Sequence, residues 1–206
     1  MTNSNGSDIE EKSGYITVTG NYYVYADGVG IYYDPDHNAP LWWANKTPID
    51  FYDHIAGKQG SVYPSIYWAG IGKPVDNATG SRNWNINQDA NTMANNADFA
   101  FHAGHGWNDG LKFGTANNSY DLDREDLRFG GNNGRAKWVA LFSCSVLNQS
   151  TYENWESMFD GLHILMAFDT PGKLGEYQGS QFADRMTGSD IYTVPAKIRD
   201  SWIQTL

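Results

Sequence analysis

The stretches Phe99-Ala100-Phe101-His102-Ala103-Gly104-His105-Gly106-Trp107 and Trp138-Val139-Ala140-Leu141-Phe142-Ser143-Cys144-Ser145-Val146-Leu147 decide how this chain is read. Each opens on an apolar run that gives way to small and polar residues. A run such as Asp98-Phe99-Ala100-Phe101 or Trp138 to Phe142 reads as a strand buried on both faces, as in a parallel sheet covered by helices. Ligands of such sheets collect beyond the carboxyl ends of the strands. His105 and the chain's single cysteine, Cys144, both fall there. If the two strands are neighbours, an imidazole and a thiol face one crevice, which is how a cysteine nucleophile usually meets its base.

Outward from these runs, strand and helix patterns alternate. Leu162 to Phe168 reads as a further buried strand, Thr151 to Phe159 as a helix, and Gln178 to Met186 as another helix starting near Ser180. One short helix is expected within Asp121 to Arg128. Upstream, Tyr15 to Val18 and Tyr22 to Tyr25 suit an early strand or hairpin with a turn at Gly20-Asn21. Segment 26–47 reads as a loop, followed by a helix with Thr47 as N-cap and Pro48 at its first position, running to Gly57. Tyr63 to Ala69 reads as a strand, and Gly70 to Asn96 as a long polar surface excursion. The alternation predicts an α/β fold: a three-layer α/β/α sandwich with a mostly parallel central sheet and right-handed crossovers.

A thiol with an ordinary pKa of about 8.5 needs an electropositive or hydrogen-bonding setting to react as thiolate. The strand end at Cys144, with a helix expected from Thr151 and an imidazole nearby, offers one. Gly106 lacks a Cβ, so its backbone N–H can approach a substrate carbonyl, and the amide of Cys144 can converge on the same oxygen as an oxyanion hole.

An apolar strand followed by Gly104-His105-Gly106, with a second apolar strand ending in Ser143-Cys144-Ser145, resembles the caspase-like cysteine peptidases, a group that includes caspases, metacaspases, legumains and gingipains. The run Trp155 to Phe168, with Gly-x-x-Phe-Ala at Gly179 to Ala183, resembles an uncharacterised prokaryotic family of caspase-like domains. The likeness runs from about Ala97 to Trp202. It implies a caspase-like fold and an endopeptidase in which His105 is acid and base, Cys144 attacks, and the substrate is a protein or peptide. It also implies a pocket at the strand ends for the residue before the cut. Asp169 is the candidate lining residue, whose charge would favour Arg or Lys; its other reading is a cap of the turn Asp169-Thr170-Pro171-Gly172. Ser143 before the cysteine and bulky Val146-Leu147 after it depart from active relatives, so a non-catalytic surface or protein-binding module is the alternative.

Other residues read as structural. His102, inside its strand, is expected to be hydrogen-bonded and partly buried. Ser143 and Ser145 lack the surroundings of a serine nucleophile elbow. Asp34, Asp36 and Asn38 imitate the start of a calcium loop without its glycine or closing acid. Asp121, Asp123, Glu125 and Asp126 form a second calcium candidate, equally explained as a charged helix face. His37, His54 and His163 have no metal-ligand spacing with Cys144. No cofactor or metal is expected to be required. A third reading takes Trp42, Trp43, Trp68, Trp84 and Trp107 as loop aromatics stacking on sugar rings of a glycan.

Composition sets the outer bounds. A chain of 206 residues that is 40% hydrophobic and 15% aromatic can bury one core. A single domain over 15–206 behind a flexible segment 1–14 is expected. Against 24 Asp and Glu stand 14 Lys and Arg, and an acidic surface repels phosphate backbones and anionic lipid, so nucleic acid is not the expected partner. No apolar run reaches the length of a membrane-spanning helix, and the first residues lack a signal-peptide core. The single cysteine leaves the redox compartment open. Asn- and aromatic-rich, lysine-poor surface chemistry favours an extracellular or cell-surface setting.

Overall fold

The computed structural model describes residues 20–30, 41–58, 66–72, 84, 92–113, 121–131, 134–188 and 197–206. Expectations for segment 1–14, for Tyr15 to Val18 and for Asp34 to Asn38 lie outside them. The central sheet comprises β1 (Gly20–Gly28), β2 (Ile66–Gly72), β3 (Phe99–Ala103), β8 (Trp138–Phe142) and β10 (Ile164–Ala167), in the order β10-β8-β3-β1-β2. Every neighbouring pair is parallel. The runs at Asp98, Trp138 and Leu162 are thus parallel neighbours, as their unbroken apolar character predicts. Between the large strands lie five short ones: β4 (Gly106–Trp107), β5 (Gly110–Leu111), β6 (Leu122–Asp123), β7 (Phe129–Gly130) and β9 (Phe159–Asp160). The first three make a small antiparallel sheet, and the last two pair in parallel.

Side chains alternate across the central sheet. Val24, Ala26, Phe99, Phe101, Ala103, Ala140, Phe142 and Met166 point to one face, where Phe51, Phe182 and Trp202 meet them. Those three come from α1 (Trp42–Ile55), α3 (Gln178–Thr187) and α4 (Ile198–Thr205). The Phe51 ring stacks on Phe101 at 4.6 Å, and Trp202 meets Phe142 edge-on at 4.5 Å. Gly179 lets α3 press against α1, since a Cβ there would lie 1.8 Å from the Thr47 carbonyl oxygen. The Gly-x-x-Phe-Ala run therefore has a packing role: its glycine gives close approach, and Phe182 and Ala183 enter the core.

Tyr25, Ala100, Val139 and Leu141 face the opposite side, which is covered by Trp84, Phe113, Phe129, Trp155 and Met158. This layer is built from the short helix α2 (Thr92–Asn96), the small sheets and two 3-10 helices, Arg124–Asp126 and Tyr152–Met158. Among the described residues no helix is long and apolar enough to cross a membrane.

Several local expectations are corrected. Gly20 and Asn21 are not a turn but the start of β1, paired with Ile66 and Tyr67. The helix assigned to begin at Thr47-Pro48 begins at Trp42, with Pro48 inside it. Its first turn is held by Leu41 N–H on Gly30 O and Gly30 N–H on Asn45 Oδ1, bonds to the exit of β1 that no local pattern reveals. The Ala44 carbonyl, which Pro48 cannot bond, lies against Gly28, where a Cβ would be 2.0 Å from it. The helix expected at Thr151 to Phe159 is a 3-10 segment, and that within Asp121 to Arg128 is β6 followed by one 3-10 turn. The excursion at Gly70 to Asn96 carries a core residue, Trp84, with no solvent exposure.

Candidate active site at the carboxyl ends of β3 and β8

Beyond β3 the chain runs through Gly104 and His105 into β4, and beyond β8 it turns sharply through Cys144. The ladder between the two strands continues past their ends, with Gly104 N–H donating to Phe142 O at 3.2 Å. The closest approach falls at Gly106. A Cβ there would lie 2.8 Å from Ser143 Cβ, 2.9 Å from Val146 Cγ2 and 3.3 Å from Cys144 O. Only a residue without a side chain lets the histidine loop seat on the cysteine turn. The structure thus brings together the Gly104-His105-Gly106 block and Ser143-Cys144-Ser145, with His105 one residue from the contact.

His105 is partly exposed, and its carbonyl accepts Lys112 N–H at 2.9 Å, fixing the loop as the start of the β4–β5 hairpin. Cys144 is also partly exposed. Its thiol donates to Gly172 O at 3.7 Å, a weak sulfur hydrogen bond. Ser145 holds φ at 57°, a left-handed conformation uncommon outside glycine. Its N–H bonds Thr170 O at 3.3 Å, and Leu147 N–H bonds Phe168 O at 3.1 Å, so the segment after β10 pins the turn. Such imposed conformations concentrate at functional sites. The helix expected from Thr151 is the 3-10 segment Tyr152–Met158, seven residues long.

Asp169 belongs to the same cluster of loops. It is exposed, and its Oδ1 accepts Gln149 N–H at 2.9 Å while its carbonyl accepts Asn148 Nδ2 at 3.3 Å. One carboxylate oxygen therefore braces the turn after Cys144.

His102 departs from its expected partial burial. It is fully buried, with Nδ1 2.7 Å from Asp27 Oδ1, and its Nε2 has no hydrogen-bond partner among the described residues. Asp27 Oδ2 accepts Tyr25 Oη–H at 2.9 Å and Trp84 Nε1–H at 2.8 Å. Sequence reasoning missed Asp27; its signal was position, since it sits one residue before the end of β1 as His102 does before the end of β3. The same burial removes Trp84 from any glycan-stacking platform. Trp43 on α1 remains exposed, and Trp107 is partly covered.

The acidic group at Asp121, Asp123, Glu125 and Asp126 is dispersed over β6 and the following turn, with Arg124 paired to Asp109 and to Glu125. Among the described residues no three His, Cys, Asp or Glu side chains converge as metal ligands. Asp123 has its carboxyl pKa raised, first by desolvation and then by Asp126, Asp109, Glu125 and Asp121.

Residues 75–206 match a family model described as a domain of unknown function, DUF6345. This span holds His105, Gly106, Cys144 and Asp169, whereas β1 and the edge strand β2 precede it. The chain is also 27% identical over 114 residues to a protein of Archaeoglobus fulgidus described as uncharacterized. That similarity covers 50% of this chain and 43% of the archaeal protein, less than half of the relative's length. No solved structure matches the chain.

Proposed function

Because the chain belongs to the DUF6345 family, whose description assigns no chemistry, we propose from its own residues that it is a caspase-like cysteine endopeptidase working through His105 and Cys144. The observation that carries this reading is the seat of Gly106 on the Cys144 turn, which puts the two blocks at the ends of adjacent parallel strands. In this mechanism His105 takes the thiol proton and Cys144 Sγ attacks the scissile carbonyl carbon of a peptide. The oxyanion is met by the N–H groups of Gly106 and Cys144. His105 then protonates the departing amine, and water, deprotonated by the same imidazole, hydrolyses the thioester. The thiol leaves Gly172 O to do this, since a carbonyl oxygen repels a thiolate.

Asp169 is the residue we assign to a preference for Arg or Lys before the cut. Its Oδ1 is engaged by Gln149 N–H, and its Oδ2 has no partner among the described residues. The second reading, a non-catalytic protein-binding module, is favoured by the seating of the thiol on Gly172 O. One experiment separates the two: a panel of fluorogenic peptides assayed with the wild type, Cys144→Ala and His105→Ala. The peptidase reading expects turnover in the wild type and none above background in either variant. Turnover that survives Cys144→Ala overturns it, and absence of turnover on the whole panel favours the module.

A further inference from the structure

At the opposite pole of the sheet, beneath the amino ends of β3, β8 and β10, lies a cavity of about 500 Å³. Its walls include Asp98, Arg135, Lys137, Asp160 and the glycines at 130, 131, 134 and 161. Asp98 is 1% exposed, yet Arg135 and Lys137 keep 46% and 36% of their side chains accessible. The buried carboxylate holds both cations in place. Its Oδ2 takes Arg135 Nη2 at 2.8 Å and Tyr23 N–H at 2.9 Å, and its Oδ1 takes Lys137 Nζ at 3.1 Å. Aromatic faces back them as well: Arg135 lies 4.5 Å from the Tyr23 ring centroid and Lys137 4.7 Å from that of Tyr22.

Asp98 and Asp160 together balance Arg135 and Lys137 in formal charge, so an anion is attracted at the Arg135 and Lys137 wall and not by a net charge of the cavity. Glycine backbone, Ala136 and His163 complete the lining. Arg135 carries more N–H donors than its single bond to Asp98 uses. Fixed, partly desolvated cations with spare donors are what a small oxyanion requires, because little reorganisation is needed when it binds. Asp160 sets the polarity of the site. Its carboxylate lies beside Gly131, where a Cβ would be 2.6 Å from Oδ2, and it would repel an anion placed at that end.

We propose that this cavity is a binding site for the carboxylate or phosphate group of a small polar molecule, held by Arg135 and Lys137. It is independent of the peptidase reading and lies away from Cys144. The test is isothermal titration of the full chain with inorganic phosphate, acetate and chloride, each at constant ionic strength. Saturable one-to-one binding of phosphate or acetate, tighter than chloride, is expected, and the stronger of the two identifies the head group.

Arg135→Gln and Lys137→Gln are expected to weaken binding about tenfold or more, as loss of a charge-assisted hydrogen bond implies. Asp160→Asn, which leaves the Asp98 assembly intact, is expected to tighten it about two- to fivefold. Near-UV circular dichroism checks that each variant is folded, and Lys137→Arg is expected to retain binding. The proposal is overturned if neither oxyanion binds better than chloride. Equal affinity in wild type and Asp160→Asn, in folded protein, overturns it too.

Discussion

His102 Nδ1 stands 2.7 Å from Asp27 Oδ1, and the two residues are register partners on β1 and β3 with almost no solvent contact. They lie where the strand order reverses, between the strand that leads to β2 on one side and the strand that leads to β8 on the other. Asp27 also collects Tyr25 and Trp84, so a single carboxylate organises polar groups from β1, β3 and the Trp84 segment. The Nδ1–H of the imidazole is directed at the carboxylate, which fixes the tautomer whenever the ring is neutral.

Removing that carboxylate strands three donors in the core. Asp27→Ala is expected to cost about 3–5 kcal/mol, the range seen when one partner of a buried pair is deleted. Urea unfolding followed by tryptophan fluorescence measures it. A loss under about 1 kcal/mol would mean that the pair contributes little.

Gly106→Ala tests the seat between the two blocks. The added methyl meets Ser143 Cβ and Val146 Cγ2 at under 3 Å, so the hairpin or the cysteine turn has to shift. Overpacking of this kind costs about 1–3 kcal/mol. If His105 and Cys144 act together, turnover falls further than stability does. A variant with a lowered melting temperature but unchanged kcat/KM at 25 °C would break the link between this contact and catalysis.

Asp123 offers a pH test. Its folded-state pKa is raised above the ordinary 3.8, so the folded protein binds this proton more readily than the unfolded chain does. Stability from this group is therefore lost as pH rises through the raised value, and at neutral pH the ionised side chain is a repulsive one. Asp123→Asn is expected to raise the melting temperature at pH 7, with the gain shrinking in salt and vanishing below the ordinary carboxylate range. An unchanged melting temperature at pH 7 in low salt would refute this.

Asp169→Asn keeps an oxygen for Gln149 N–H while removing the charge. On the proposed peptidase, kcat/KM for peptides with Arg or Lys before the cut is expected to fall about tenfold, with neutral peptides spared, since an ion pair is lost only with the charged substrate. Equal losses would assign Asp169 to bracing the turn alone.

The strands were legible because burial on both faces leaves an unbroken apolar signature, and the place of His105 and Cys144 follows from where such runs stop. What stayed hidden depends on partners distant in sequence. Pro48 reads as a helix start by local rule, yet α1 is begun earlier by bonds from Gly30 to Leu41 and Asn45. Trp84 reads as a loop aromatic because its partners, Asp27, His102 and Phe129, come from three other segments. Asp98 reads as the polar edge of a strand, and only the fold shows that it gathers Arg135 and Lys137.

The all-parallel order of the central sheet has a kinetic consequence. No two neighbouring strands in it can be joined by a hairpin, so every ladder closes a crossover before any of its hydrogen bonds form. Asp27 and His102 meet across 75 residues, and the β1–β3 ladder that carries them closes one of the chain's long loops. Loop closure on this scale is entropically costly ahead of any reward, which makes formation of this sheet slow. Until that ladder forms, the apolar edges of β3 and β8 are open to other chains. Dilute refolding conditions are therefore the ones in which this protein is expected to recover best.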